Sequence, residues 1–228
     1  MKIINPTNNQ IHSPKVHPNF SAKKWADIEV LKKDEINKFE LFKINDKDKE
    51  SLFKLANSIN LEKFLPPNTP KQIISKYHAI INNGIFLASL ESFQDSFILA
   101  QDKKPCGIIV YYKDLNRNTK LEYLASWNTD KETKPKGAGT ALLSYMFDDA
   151  SKNKTDKIFL EILGESIINL KDFYKRFGFK HSTNNDNQMF VTKYVYLEQI
   201  NKIRNFVNIT ENPTEKDIDL SKELNILV

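Results

Sequence analysis

Residues 134–140, KPKGAGT, stand directly before the helical run ALLSYMFDDA. Two glycines one residue apart, beside lysines and opening a helix, aim several backbone N–H groups and the positive end of the helix dipole at one spot. Gly137 and Gly139 let the backbone approach an anion closely. Thr140 adds a hydroxyl donor, and Lys134 and Lys136 add charge. The chemistry to expect is the holding of a phosphate. Two familiar phosphate loops do not match: there is no Gly-Lys-Ser/Thr triplet, and the third glycine of a dinucleotide fingerprint is replaced by Leu142. A plain glycine turn between strand and helix accounts for the loop equally well at this point.

Other reactive side chains are few. The single cysteine, Cys106, excludes an internal disulfide and a multi-cysteine zinc site, and reads as a small buried hydrophobe. The spacings of His12, His17, His78 and His181 offer no metal site. A chain of 228 residues, 40% hydrophobic and 11% aromatic, has the composition of one folded core with extensions. Apolar runs such as GIIVYY are far shorter than the roughly 20 residues of a membrane helix. The N-terminus MKIINPTNNQ has no apolar signal core. A reducing, cytoplasmic setting without membrane partners is therefore expected. The net charge of +5 is uneven, with four lysines, two histidines and no acid in residues 1–24 and an acidic final stretch, TENPTEKDIDLSKELNILV. The basic segment either keeps the chain solvated or touches nucleic acid.

The elements that must position the loop follow from periodicity. Residues 38–45, KFELFKIN, alternate as a first strand. Two helices follow: 46–59, with Leu52, Phe53, Leu55, Ala56 and Ile59 on a stripe, and 71–83, ended by Asn83-Gly84. The stretch GIFLASL fits either a strand or a continuation of that helix. SFILAQ and CGIIVYYK, joined by DKKP, read as a hairpin, and KLEYLASW (120–127) as a third strand of the same meander. A helix at 139–153 faces the core through Leu142, Leu143, Met146 and Phe147. A buried strand at 157–163, a helix stopped by Gly178, and a last strand at 188–197 complete the order. Antiparallel strands giving way to a β-α-β unit define an α+β class.

With these elements in order, the chain resembles the GNAT superfamily of acyl-CoA-dependent N-acyltransferases. KPKGAG resembles that superfamily's R/Q-x-x-G-x-G/A pyrophosphate loop, and FYKRFGF (173–179) its Y-x-x-x-G-F signature. FILAQDKKPCGIIVYY is similar to its second and third strands, with Gly107 early in the third. The likeness covers residues 38 to about 197. It differs at Lys134, where Arg or Gln is usual, at Pro135, which has no N–H to donate, and at Ile167, where the family often carries Asn; Asn169 lies nearby.

The resemblance implies a mostly antiparallel sheet with a splayed central V and flanking helices. It divides the chain into an N-terminal arm (1–37), an N-acetyltransferase domain (38–200) and a C-terminal extension (201–228). It implies acetyl-CoA as cosubstrate, its pyrophosphate on Lys134, Lys136, Gly137, Ala138, Gly139 and Thr140. Its pantetheine arm would run along the strand at 120–127, flanked by Trp127 unless that ring belongs to the core. Transfer to a primary amine would be direct, in a ternary complex. Tyr174 matches the tyrosine near the cofactor sulfur, where a phenol of ordinary pKa about 10 can serve as general acid. Glu122 occupies the strand on which some protein-lysine acetyltransferases carry a catalytic glutamate; an exposed strand glutamate is the other reading, and Glu161 is a weaker candidate. His78 lies on the helix that often lines the acceptor side, where a surface histidine is the simpler reading. The acceptor is open between a small-molecule amine, a protein lysine or N-terminus, and charged transfer RNA. A non-catalytic CoA-binding or interaction module on the same scaffold is the alternative. The apolar residues Ile218, Leu220, Leu224 and Ile226 of the tail would pack on a partner subunit or on their own domain.

Overall fold

The structure is a computed structural model that describes residues 22–60, 68–90, 94–127, 136–162, 170–183, 185, 187–224 and 226. β1 (Lys23–Lys32) and β2 (Glu35–Ile44) form a hairpin. Its turn residues, Lys33 and Asp34, have φ of 52° and 64°, the double left-handed turn whose twist suits adjoining strands. A 3₁₀ turn (Asp46–Asp48) leads into α1 (Lys49–Ser58), and α2 (Lys71–Ala88) follows. β3 (Gln94–Gln101), β4 (Lys104–Lys113) and β5 (Asn118–Ser126) form a meander. Then come α3 (Ala138–Lys152), β6 (Lys157–Glu161), α4 (Leu170–Arg176), β7 (Lys180–His181) and β8 (Gln188–Thr192). α5 (Lys193–Ile203), β9 (Val207–Glu211) and α6 (Leu220–Glu223) complete the described elements.

The nine strands make one sheet in the order β7-β8-β6-β5-β4-β3-β2-β1-β9. Every neighbouring pair is antiparallel except β5 and β6. Alternation along the strands splits the apolar residues between two faces. One face packs Leu41, Phe97, Ile109 and Leu121 under α3, α4 and α5. The other packs Phe42, Ile98, Ile108 and Val110 under α1, α2 and α6. As the sequence pattern predicts, Leu142, Leu143, Met146 and Phe147 of α3 are fully buried. Among the described residues no helix is long and apolar enough to cross a membrane.

Three elements differ from the sequence expectation. The strand expected at 38–45 is the second of a hairpin, and β1 lies within the segment read as an arm. The sheet thus takes in chain on both sides of residues 38–200, since β1 pairs with β2 on one edge and β9 on the other. α2 does not stop at Asn83-Gly84 but runs on to Ala88. Gly84 serves packing there: a Cβ at this position would stand 3.3 Å from Cδ1 of Tyr123. Its absence lets α2 lie close on β5. The strand expected at 188–197 ends at Thr192, and Lys193 opens α5. Tyr196, Ile200 and Ile203, at spacings of four and three, bury one stripe of α5, and Tyr196 meets Phe147 of α3 with ring centroids 5.9 Å apart. This tertiary contact overrides the strand preference of the Val-Thr-Lys-Tyr-Val-Tyr run.

The first described residue and the segment at Ile218 meet near one buried carboxylate. Asp48, 1% exposed, accepts from the N–H of Ala22 at 3.0 Å and of Asn45 at 3.1 Å. The carbonyl of Ala22 in turn accepts from the N–H of Ile218 at 2.9 Å, and Leu220, Leu224 and Ile226 are buried on the α1–α2 face. The C-terminal apolar residues therefore fold back on their own sheet. Replacing Asp48 by Ala leaves the buried N–H of Ala22 and the part-buried N–H of Asn45 short of a charged acceptor, and urea unfolding should show a loss of about 2 kcal/mol; an unchanged midpoint would remove Asp48 from this role.

Candidate active site

β5 and β6 run side by side only from Asn118↔Lys157 to Leu121↔Leu160. Beyond that, β5 stays with β4 from Tyr123 to Ser126, while β6 stays with β8 through Glu161↔Gln188 and Ile162 donates to the carbonyl of Asn187. The two strands part and leave a V. Its origin is an extra residue: Val110 pairs with Tyr123 and Tyr111 with Leu121, so Glu122 is bulged out of the β4–β5 ladder. A bulge bends its strand and increases local twist. It also shifts the side-chain phase, so that Leu121 and Leu124, three apart, both pack on the α3 face while Tyr123 packs on the α2 face.

A cavity occupies the opening. It is lined by Leu121–Leu124 from β5, Leu160–Ile162 from the β6 side, Ile80 of α2, and Leu170 and Tyr174 of α4. Glu122 and Tyr174 both line this cavity. Tyr174 is buried, its ring between Phe173 at 5.2 Å and Phe179 at 5.6 Å. Its carbonyl accepts from the N–H of Phe177 and of Phe179, a closure of the helix end that requires the left-handed φ of 84° at Gly178. Among the described residues its hydroxyl has no hydrogen-bond partner. Burial pushes the Tyr174 phenol well above its ordinary value, so it is a neutral O–H donor throughout the physiological range. Glu122 is 22% exposed and pairs with Lys120, Oε1 to Nζ 2.6 Å.

The glycine loop stands beside this cavity. Gly137 caps α3 with φ of 102°, no side chain caps the helix, and its first turn holds no acid. The N–H groups of Ala138, Gly139 and Thr140 precede the first intrahelical bond, Ala141 N–H to Gly137 C=O at 2.8 Å, so they lack helical acceptors. A Cβ on Gly137 would stand 2.9 Å from Cγ1 of Val30, and one on Gly139 3.4 Å from Cζ of Phe173. Phe173 therefore links the loop to Tyr174. Ala138 is buried and Thr140 half-buried. Lys136 is exposed, 3.7 Å from a carboxylate oxygen of exposed Glu35, a pair of little energetic weight. Lys134, Pro135, Ile167 and Asn169 lie outside the described residues.

The remaining candidates fall elsewhere. Trp127 is buried in the cluster on the α2 face, its N–H donating to the carbonyl of Cys106 at 2.9 Å. Cys106 is fully buried, and burial pushes its thiol up, out of nucleophilic range. His78 lies on α2, but that helix reaches the cavity through Ile80. His181 sits in the short strand β7. Sequence reasoning did not single out Lys120 or Val30. The i, i+2 spacing of Lys120 and Glu122 on one strand is the signal that was available for the first.

A sheet opened at its one parallel pair, with a glycine-led helix at the mouth of the opening, defines a GNAT fold. The chain belongs to the GNAT acetyltransferases: the family model for the acetyltransferase (GNAT) domain matches residues 64–194, over half the chain. β1, β2 and β9 lie outside that span. Among solved structures, an uncharacterized protein from Bacillus halodurans is 14% identical, with a TM-score of 0.48 over 80% of this chain and 98% of that one. The PaiA N-acetyltransferase from Thermoplasma acidophilum, in complex with coenzyme A, is 15% identical, with a TM-score of 0.46 over 68% and 98%. The ribosomal-protein-S18-alanine N-acetyltransferase from Escherichia coli is 14% identical, with a TM-score of 0.41 over 73% and 93%. No curated protein matches the sequence.

The two loop glycines differ in what they tolerate. Gly137→Ala places a side chain at positive φ and against Val30, and should cost about 1–2 kcal/mol in thermal or urea unfolding. Gly139→Ala makes only an ordinary contact with Phe173 and should unfold within about 0.5 kcal/mol of wild type. Equal costs at the two positions would contradict the loop geometry.

Proposed function

We propose that the protein is an N-acetyltransferase that transfers an acetyl group from acetyl-CoA directly to a primary amine in a ternary complex. The observation that carries this reading is the contact of the glycine-led start of α3 with Phe173, whose neighbour Tyr174 presents a buried phenol to the strand gap. The residues present fit the cosubstrate. A helix start whose first N–H groups have no helical acceptor, with no acid in its first turn and a glycine at left-handed φ, suits a pyrophosphate. Among the described residues β5 has no β6 partner past Leu121, an edge suited to the amides of an extended pantetheine arm.

When bound, acetyl-CoA supplies an activated thioester. Gly137–Thr140 hold its diphosphate by backbone N–H groups, with Lys136 as a nearby charge. The β5 edge orients the arm toward the cavity. Glu122 accepts the proton that the incoming ammonium must lose before its nitrogen can attack. Tyr174, kept protonated by burial, gives its proton to the departing sulfur.

Calorimetric titration with acetyl-CoA, with ATP and NADH as controls, tests the loop; binding of acetyl-CoA alone is expected, and no binding would refute it. Tyr174→Phe should retain that binding and thermal stability while thiol release falls by about two orders of magnitude. Undiminished release would remove the acid role. Binding without turnover on any amine would instead mark a CoA-binding module. Because the Tyr174 phenol lies above its ordinary value of about 10, it is lost as an acid only above that pH, and kcat should show no Tyr174-dependent alkaline fall below about pH 10.

A further inference from the structure

We propose that the acceptor is a primary alkylammonium group seated between Glu122 and Glu161 at the opening of the strand gap, in the place now held by the side chain of Lys120. The inference rests on the acetyltransferase reading above and narrows its substrate. Leu121↔Leu160 is the last paired position of β5 and β6. Glu122 and Glu161 are the next residue on each strand, and both line the cavity. Leu121 and Leu160 point into the α3 face, and alternation turns Glu161 to the face of α2.

Two carboxylates at the same level on adjacent strands repel unless a cation stands near them. Lys120 supplies one. Its ammonium lies 2.6 Å from Glu122 Oε1 and 5.7 Å from the ring centroid of Tyr112. Burial alone would lower the Lys120 pKa, but its hydrogen bond to Glu122 and the charges of Glu122 and Glu161 carry it above the ordinary lysine value. The site therefore already binds a primary ammonium on a straight aliphatic stem, at a place 27% exposed, from which a flexible lysine can swing into solvent. Ile80 and Tyr123 supply apolar walls for an incoming stem. Tyr174, nine-tenths buried and without a hydroxyl partner among the described residues, lines the same cavity. An aromatic amine or a peptide α-amine lacks either the charge or the stem.

Free alkyl diamines and lysine side chains share this chemistry, and the assay separates them. Thiol release from acetyl-CoA is followed with cadaverine, with a peptide carrying one lysine and a blocked N-terminus, with a lysine-free peptide bearing a free α-amine, and with aniline. Saturable turnover is expected with cadaverine or the lysine peptide; turnover with both, or with either alone, names the source. Preference for aniline or the α-amine would overturn the proposal. Glu161→Gln should raise KM for the accepted amine at least about tenfold while kcat stays within about threefold, and Lys120→Gln should lower KM. A KM unmoved by Glu161→Gln would overturn it, whereas a structural role alone would lower kcat or stability without that split. Should wild type fail to bind acetyl-CoA, the acetyltransferase reading fails by itself. Calorimetric titration of cadaverine then decides: binding by wild type, weakened in Glu161→Gln, upholds the ammonium site, and no binding by wild type rejects it.

Discussion

One extra residue in one strand shapes the site. The bulge at Glu122 bends β5 away from β6 directly after Leu121↔Leu160, and the cavity, the free strand edge and the facing glutamates all follow from that parting. A regular ladder here would continue the parallel pair and fill the gap with backbone hydrogen bonds. The opening survives because each strand has another partner. β5 is held by β4 through Ser126, and β6 by β8 through Gln188, so neither strand depends on the other past the bulge.

The helices hold that opening from both faces. On one side, Gly84 brings α2 against Tyr123, the residue following the bulge. On the other, α3 and α4 meet through Gly139 and Phe173, which fixes the glycine loop relative to Tyr174. Beneath them, Phe147 of α3 meets Phe177 and Phe179, just past α4, with ring centroids 6.1 and 5.9 Å apart. The glycine loop and the buried phenol of Tyr174 are thereby held at a set separation by apolar contacts.

Much of this was legible in the sequence. The glycine loop, the buried stripe of α3, the β3–β4 hairpin, and Tyr174 ahead of Gly178 are local patterns, and local patterns are what a sequence exposes. β1 was hidden because its turn is Lys33-Asp34, without the Gly or Asn that usually marks a left-handed hairpin loop. α5 was hidden because its β-branched and aromatic residues favour a strand until Tyr196 finds α3. That Glu122 and Glu161 line one cavity was hidden for a deeper reason: it depends on the register of two parallel strands with a whole helix between them, and on a bulge that no single stretch announces. Trp127 shows the converse, a residue whose family position suggested the cofactor and whose ring lies in the core.

The position of β1 bears on how the molecule is made. Val30, which bounds the space at Gly137, sits in a strand held between β2 and β9, and its partner on β9, Val207, lies far along the chain. The first described strand of the sheet therefore waits for residues 207–211 before its outer edge is satisfied. Contacts of such sequence separation are slow to form. The glycine loop gains its final support only once β9 is in place, so a chain made or cut short of Val207 carries the motif without the fully paired strand behind it.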